Sequence, residues 1–127
     1  MIVVVDASAI SAILFGEPDG ATIQAHLRDD QMMAPHLIDF ELANVSVKRI
    51  RRTPAAAGAI LAMLAGLQAL PIRRVAVPPL EAAKLAARTG LTAYDASYLW
   101  LAMTHDSELV TLDNRLAKVN LELRDLS

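Results

Sequence analysis

The stretch Ile2-Val3-Val4-Val5-Asp6-Ala7-Ser8 decides how the rest of the chain reads. Four consecutive β-branched residues are too continuous for a strand with one wet face, so they predict a short parallel strand buried on both faces. An acid follows at once. The run Leu109-Val110-Thr111-Leu112 repeats the arrangement and ends in Asp113-Asn114-Arg115. If both runs are parallel strands, their carboxyl ends share one sheet edge, where open α/β folds bind ligands.

Working outward, a helix is expected over residues 8–15, stopped by Gly16-Glu17-Pro18-Asp19-Gly20. Residues 21–28 read as helix and 32–34 as a short strand before Pro35. The apolar positions of 36–52 follow three-and-four spacing, which predicts a long helix. Thr53 as N-cap and Pro54 at the first helical position then predict a second helix through Leu70. Residues 72–77 read as a strand, and 80–88 as a helix closed by Gly90. Thr92-Ala93-Tyr94-Asp95 opens a helix with Tyr98, Leu99, Ala102 and Met103 on one face. A strand over 109–112, a short helix over 114–118 and an alternating last strand over 121–126 complete the chain. This order predicts an α/β domain with a mostly parallel, five-stranded sheet covered by helices. At 127 residues, one domain over 1–127 is expected.

Composition removes several function classes. Hydrophobic residues make up 54% of the chain and aromatic ones only 4%, so the core is built from Ala, Leu, Val and Ile. Zero cysteines exclude disulfides, thiolate nucleophiles and sulfur-ligated metals. The amino terminus lacks the basic segment of a signal peptide, which leads us to expect a cytoplasmic protein. Residues 55–70 are apolar but shorter than the roughly 20 residues of a membrane span, so they predict a buried or dimer-forming helix and no membrane association. His26, His36 and His105 are dispersed, which disfavours zinc. No Gly-x-Ser-x-Gly elbow and no glycine-rich phosphate loop is present.

Four acids remain as candidates. Asp6 and Asp113 stand between strand and helix, where Asp is a preferred N-cap. Asp95 follows Thr92 at capping-box spacing and suits a first helical turn. Each of these three can be a cap alone. Glu41 lies in a helix interior beside Phe40, one turn from Leu37 and Val45, where an unpaired carboxylate is costly to bury. Converging on one sheet edge, the four would repel one another unless a cation intervened. Hard oxygen donors without Cys or clustered His point to Mg2+ or Mn2+.

With Val4-Val5-Asp6-Ala7-Ser8, Glu41-Leu42-Ala43, Thr92-Ala93-Tyr94-Asp95-Ala96-Ser97-Tyr98 and Leu109-Val110-Thr111-Leu112-Asp113 in this order, the chain resembles PIN-domain proteins. In particular it is similar to the VapC toxins of type II toxin–antitoxin systems, and the resemblance runs over essentially the whole chain. It implies a three-layer α/β/α sandwich and an endoribonuclease in which Asp6, Glu41, Asp95 and Asp113 are catalytic and hold one or two Mg2+ or Mn2+ ions. It also implies that Ser8 supports Asp6 or contacts phosphate, that Lys48, Arg49, Arg51 and Arg52 are candidate RNA contacts, and that the protein is a homodimer inhibited by a VapB-like antitoxin.

The chemistry matches such ligands. Water activated by bound metal attacks the phosphorus in line, and the metals stabilise charge on the attacking and leaving oxygens. A 3′-hydroxyl and a 5′-phosphate are the expected products. A net charge of −2 gives no global pull toward RNA, so a structured target such as tRNA or rRNA fits better than indiscriminate degradation. Two other readings stay open. One is a non-catalytic interaction module in which the acids only cap helices. The other, ranked lower because Asp6-Ala7-Ser8 lacks a second acid, is a phosphoryl-transfer domain with an aspartyl nucleophile.

Overall fold

The computed structural model describes residues 1–125. Its elements are β1 (Ile2–Val5), α1 (Ala7–Leu14), α2 (Gly20–His26), β2 (Gln31–Pro35), α3 (Leu37–Arg52), α4 (Ala57–Ala65), β3 (Ile72–Val75), α5 (Pro79–Thr89), α6 (Ala93–Thr104), β4 (Glu108–Val110) and α7 (Asn114–Asp125). Short 3-10 turns, Pro54–Ala56 and Gly66–Ala69, flank α4.

Every strand pairing is parallel, in the order β3-β2-β1-β4. Steps from β1 to β2 and from β2 to β3 run one way, and the step from β3 to β4 crosses back past both. Right-handed crossovers therefore set α1 to α4 on one face and α5 and α6 on the other, giving the three-layer sandwich. Packing agrees: α1 lies on α2 and α3, while α6 lies on β1, β2 and α5. The order reverses between β1 and β4, the kind of switch point at which α/β sheets open a crevice beyond their carboxyl ends.

Val3, Val4 and Val5 are buried, as their unbroken β-branched run predicts. Helix α6 is buried nearly all round, through Ala96, Ser97, Tyr98, Leu99, Leu101 and Ala102, with Met103 at the edge of its wet side. Gly90 closes α5 at a left-handed φ of 77°, the conformation expected of it. Gly20 serves a different need: α2 starts so close to α1 that a Cβ there would sit 2.3 Å from the Ala12 carbonyl oxygen.

Two expectations are corrected. The sheet has four strands among the described residues, because 121–125 continue α7 and do not form a fifth strand. Leu116, Val119 and Leu123 recur at helical spacing and pack against the core, whereas Leu121 is exposed, so the three-and-four period overrides the short alternation. Arg124 fastens this helix by donating to the carbonyls of Ala102, at 3.0 Å, and Ser107. Leu126 lies outside the described residues. The single helix expected through Leu70 is instead three pieces, and Thr53 makes no side-chain cap bond. Only Ile60 and Leu67 of it are buried, while Leu61 and Met63 face outward.

Candidate active site

Strand pairing brings the first two acids together. Val5 is in register with Val110, and the Asp6 amide donates to the Val110 carbonyl at 3.2 Å. Asp6 is only 5% exposed, and both its carboxylate oxygens are engaged. Oδ1 accepts from the Ser8 hydroxyl at 2.7 Å and, as N-cap of α1, from the Ala9 amide at 3.0 Å. Oδ2 accepts from the Thr111 hydroxyl at 2.5 Å.

The same hydroxyls reach across the crevice. Ser8 Oγ accepts from the Leu112 amide at 2.9 Å, and Thr111 Oγ1 accepts from the Asp113 amide at 2.9 Å. Two short side chains thus stitch the exits of β1 and β4 into one rigid floor. Asp113 caps α7 through Oδ1, which accepts from the Arg115 and Leu116 amides at 2.9 and 3.1 Å.

Helices α3 and α6 supply the other two acids. Glu41 is half-buried in α3, and its Oε1 accepts from the phenol of Tyr98, a residue 1% exposed. Asp95 stands in the first turn of α6, one turn before Tyr98, and its amide donates to the Thr92 hydroxyl at 3.1 Å.

Asp6, Glu41 and Asp95 each feel the charge of at least one other acid of the four. Burial pushes the Asp6 carboxyl above its ordinary value despite the bonds from Thr111, Ser8 and Ala9, and the Asp113 charge adds to the rise. Glu41 is raised by burial and by the charges of Asp95 and Asp6, with the Tyr98 bond opposing. Asp95 is raised by burial, then by Asp113 and Asp6; Thr92 and the Arg115 guanidinium pull the other way. Tyr98 is pushed up by burial and by Glu41, so it stays a donor.

Such a donor set, all hard oxygen and short of positive charge, fits Mg2+ or Mn2+. Among the described residues no three Asp, Glu or His side chains are yet gathered tightly enough to enclose an ion. Caps and site also coexist: the cap bonds use Oδ1 of Asp6 and of Asp113.

Of the four basic candidates, Arg49 already has partners within the chain. Its guanidinium pairs with Glu17 and lies 4.3 Å from the centroid of the Phe15 ring, so it ties α3 to the end of α1. Lys48, Arg51 and Arg52 are exposed. Lys48 and Arg52 fall on the helical stripe of Glu41, roughly 10 and 16 Å further along the axis. Thr111 and Tyr98 were not foreseen as site residues. Thr111 had a signal, being the one hydroxyl in the apolar run Leu109-Val110-Thr111-Leu112; Tyr98 had only its position one turn after Asp95.

A parallel α/β domain with interacting carboxylates at the reversal of its strand order is the class that fold and site define. The PIN domain model matches residues 3–121, and the chain belongs to the PIN-domain family. It is 35% identical over 125 residues to Ribonuclease VapC3 of Pyrobaculum aerophilum, covering 93% of this chain and 94% of that one. It is 28% identical over 116 residues to Ribonuclease VapC12 of Mycobacterium tuberculosis, covering 91% and 90%. The crystal structure of PAE2754 from Pyrobaculum aerophilum superposes with a TM-score of 0.77 at 27% identity, over 94% of this chain and 84% of that one.

Proposed function

We propose that this chain is a Mg2+- or Mn2+-dependent endoribonuclease, the toxin of a toxin–antitoxin pair, acting in the cytoplasm on structured RNA such as tRNA or rRNA. The observation that carries this is the crowding of four carboxylates at one crevice, where Asp6, Glu41 and Asp95 are each raised by burial and by the charge of at least one other of the four. A helix cap needs no such crowding. Relatives named ribonuclease support the reaction class.

Asp6, Glu41, Asp95 and Asp113 would hold the ion. Bound metal supplies a water nucleophile near neutral pH and charge neutralisation at the phosphate. Asp6 is the fixed point of the site, held by Ser8 on one oxygen and Thr111 on the other, so its lone pairs are oriented before anything binds. Glu41 is held from α6 by Tyr98, which couples the two helices flanking the crevice. Lys48 and Arg52 extend a cationic line away from Glu41, suited to phosphates flanking the cut. The exposed apolar side of α4, with Leu61 and Met63, suits a second copy of the chain or a VapB-like antitoxin.

The test joins Mn2+ titration to RNA cleavage. Native protein is expected to bind Mn2+ and cut RNA, with both lost in Asp6→Asn and Glu41→Gln. Mn2+ binding unchanged in both variants would overturn the proposal and favour the interaction module.

A further inference from the structure

The chain has two Phe, two Tyr and one Trp. In so aromatic-poor a protein each ring is valuable to the core, yet Phe40 is 79% and Tyr94 64% exposed, the only aromatic rings so placed. Both line one groove of about 380 Å³ together with Leu37, Glu41 and Asn44. Leu37, Phe40, Glu41 and Asn44 are spaced as one stripe of α3, and Tyr94 comes from the start of α6. Phe40 immediately precedes Glu41, and Tyr94 immediately precedes Asp95. Each ring therefore stands one residue from an acid of the crevice.

From this we propose that the groove is a subsite for one unpaired nucleobase of the RNA, adjoining the phosphate to be cut. The inference rests on the ribonuclease reading above and adds a specificity element to it. Three features select a base over other occupants. The groove has no cationic side chain, so it is not built for phosphate. Its walls are aromatic and aliphatic, and base stacking on such rings is the sequence-tolerant way to hold single-stranded nucleic acid. Asn44 offers an amide donor and a carbonyl acceptor, the pair needed to read a base edge. Glu41 lines both groove and crevice, so a nucleotide whose phosphate lies at the acids has its base within reach of the rings. A target with a splayed, unpaired base at the cut would then be favoured over a continuous helix.

The experiment uses Asp6→Asn protein, which should not cut, with a single-stranded RNA oligonucleotide carrying 2-aminopurine, whose fluorescence is quenched by stacking. Quenching is expected at one position of the oligonucleotide. Adding Phe40→Leu or Tyr94→Leu, both exposed and harmless to the core, should abolish the quench and weaken binding at least about fivefold, the lower end for one stacked base. Leu80→Ala, an exposed apolar control on α5, should change neither. Unchanged quenching in both ring variants overturns the proposal. So does a loss that coincides with a change in molar mass in solution, which assigns the groove to contact between copies, or a loss of antitoxin binding with RNA binding intact. Mn2+ titration and cleavage by the native chain keep the two ideas apart. A chain that binds no Mn2+ and cuts nothing, yet stacks the base here, ends the nuclease reading and keeps the subsite; metal-dependent cleavage without stacking does the reverse.

Discussion

Replacing Tyr98 by Phe removes one oxygen and nothing else from the centre of α6. The ring is 1% exposed, and Phe fills the same space, so the core should survive. What goes is the donor to Glu41 Oε1, in a half-buried setting. A hydrogen bond to a charged group contributes about 1.5–3 kcal/mol; because Glu41 retains some access to water, a discounted figure of about 1–1.5 kcal/mol is appropriate. For a chain of this size that is a fall in Tm of about 3–6 °C. Since the bond opposes the rise of the Glu41 carboxyl, its loss raises that carboxyl further. Outer partners of metal ligands typically govern 10- to 100-fold in affinity, so Mn2+ should bind about tenfold more weakly, with its binding curve displaced to higher pH. Calorimetric Mn2+ titration from pH 5.5 to 8, with thermal melts, reads both effects. Affinity within twofold of native and an unmoved pH curve would refute the orienting role, whatever happens to Tm.

Further outcomes follow from burial and charge. Asp6, Glu41 and Asp95 all have raised carboxyls in the folded chain, so they bind protons more tightly folded than unfolded. Their stability contribution is fullest in acid and is lost as pH climbs from the ordinary carboxylate range through the raised values. Urea melts of metal-free protein should show this decline shrinking in Glu41→Gln, and Mn2+ at a hundredfold excess over Kd should restore about 2.7 kcal/mol. Gly20→Ala forces a methyl onto the Ala12 carbonyl and should lower stability by about 2 kcal/mol or more, read as a shifted urea midpoint. Arg49→Ala should destabilise by about 1–2 kcal/mol through its lost Glu17 pair and Phe15 contact. Lys48→Ala and Arg52→Ala should leave stability alone and each reduce the salt slope of RNA binding by about 0.7.

Legibility in the sequence followed the range of the signal. Val3 to Val5 announced a buried strand because β-branched continuity is a local property. Gly90 announced its turn for the same reason. The last strand failed because Leu121 and Leu123 satisfy a period of two over too few residues, and the wider window containing Leu116 and Val119 reveals the helix. The partners of Arg49, Glu17 and Phe15, could not be read from its own stretch because they lie more than 30 residues away in the chain. Thr111 and Tyr98 escaped for a related reason: a hydroxyl aimed at an acid about 100 or 57 positions away leaves no periodic trace.

Glu41 is the acid that capping does not explain, and the bonds around Asp6 also exceed what capping requires. An N-cap needs one oxygen facing a helix amide, and Ala9 meets that need through Asp6 Oδ1. Nothing in capping calls for a second hydroxyl on Oδ2 from the segment just past β4, about 100 residues distant, nor for a tyrosine reaching from α6 to α3. Those bonds hold carboxylates together against burial and repulsion that raise their proton affinity. Folding alone would be better served by Asn at such positions, which cap without charge. Retained charge at this cost is intelligible when a cation completes the site. Asp6→Asn should accordingly fold at least as stably as the native chain without metal and gain nothing from Mn2+; a native chain more stable than Asp6→Asn at pH 8 in chelator would show that the charge serves the fold itself.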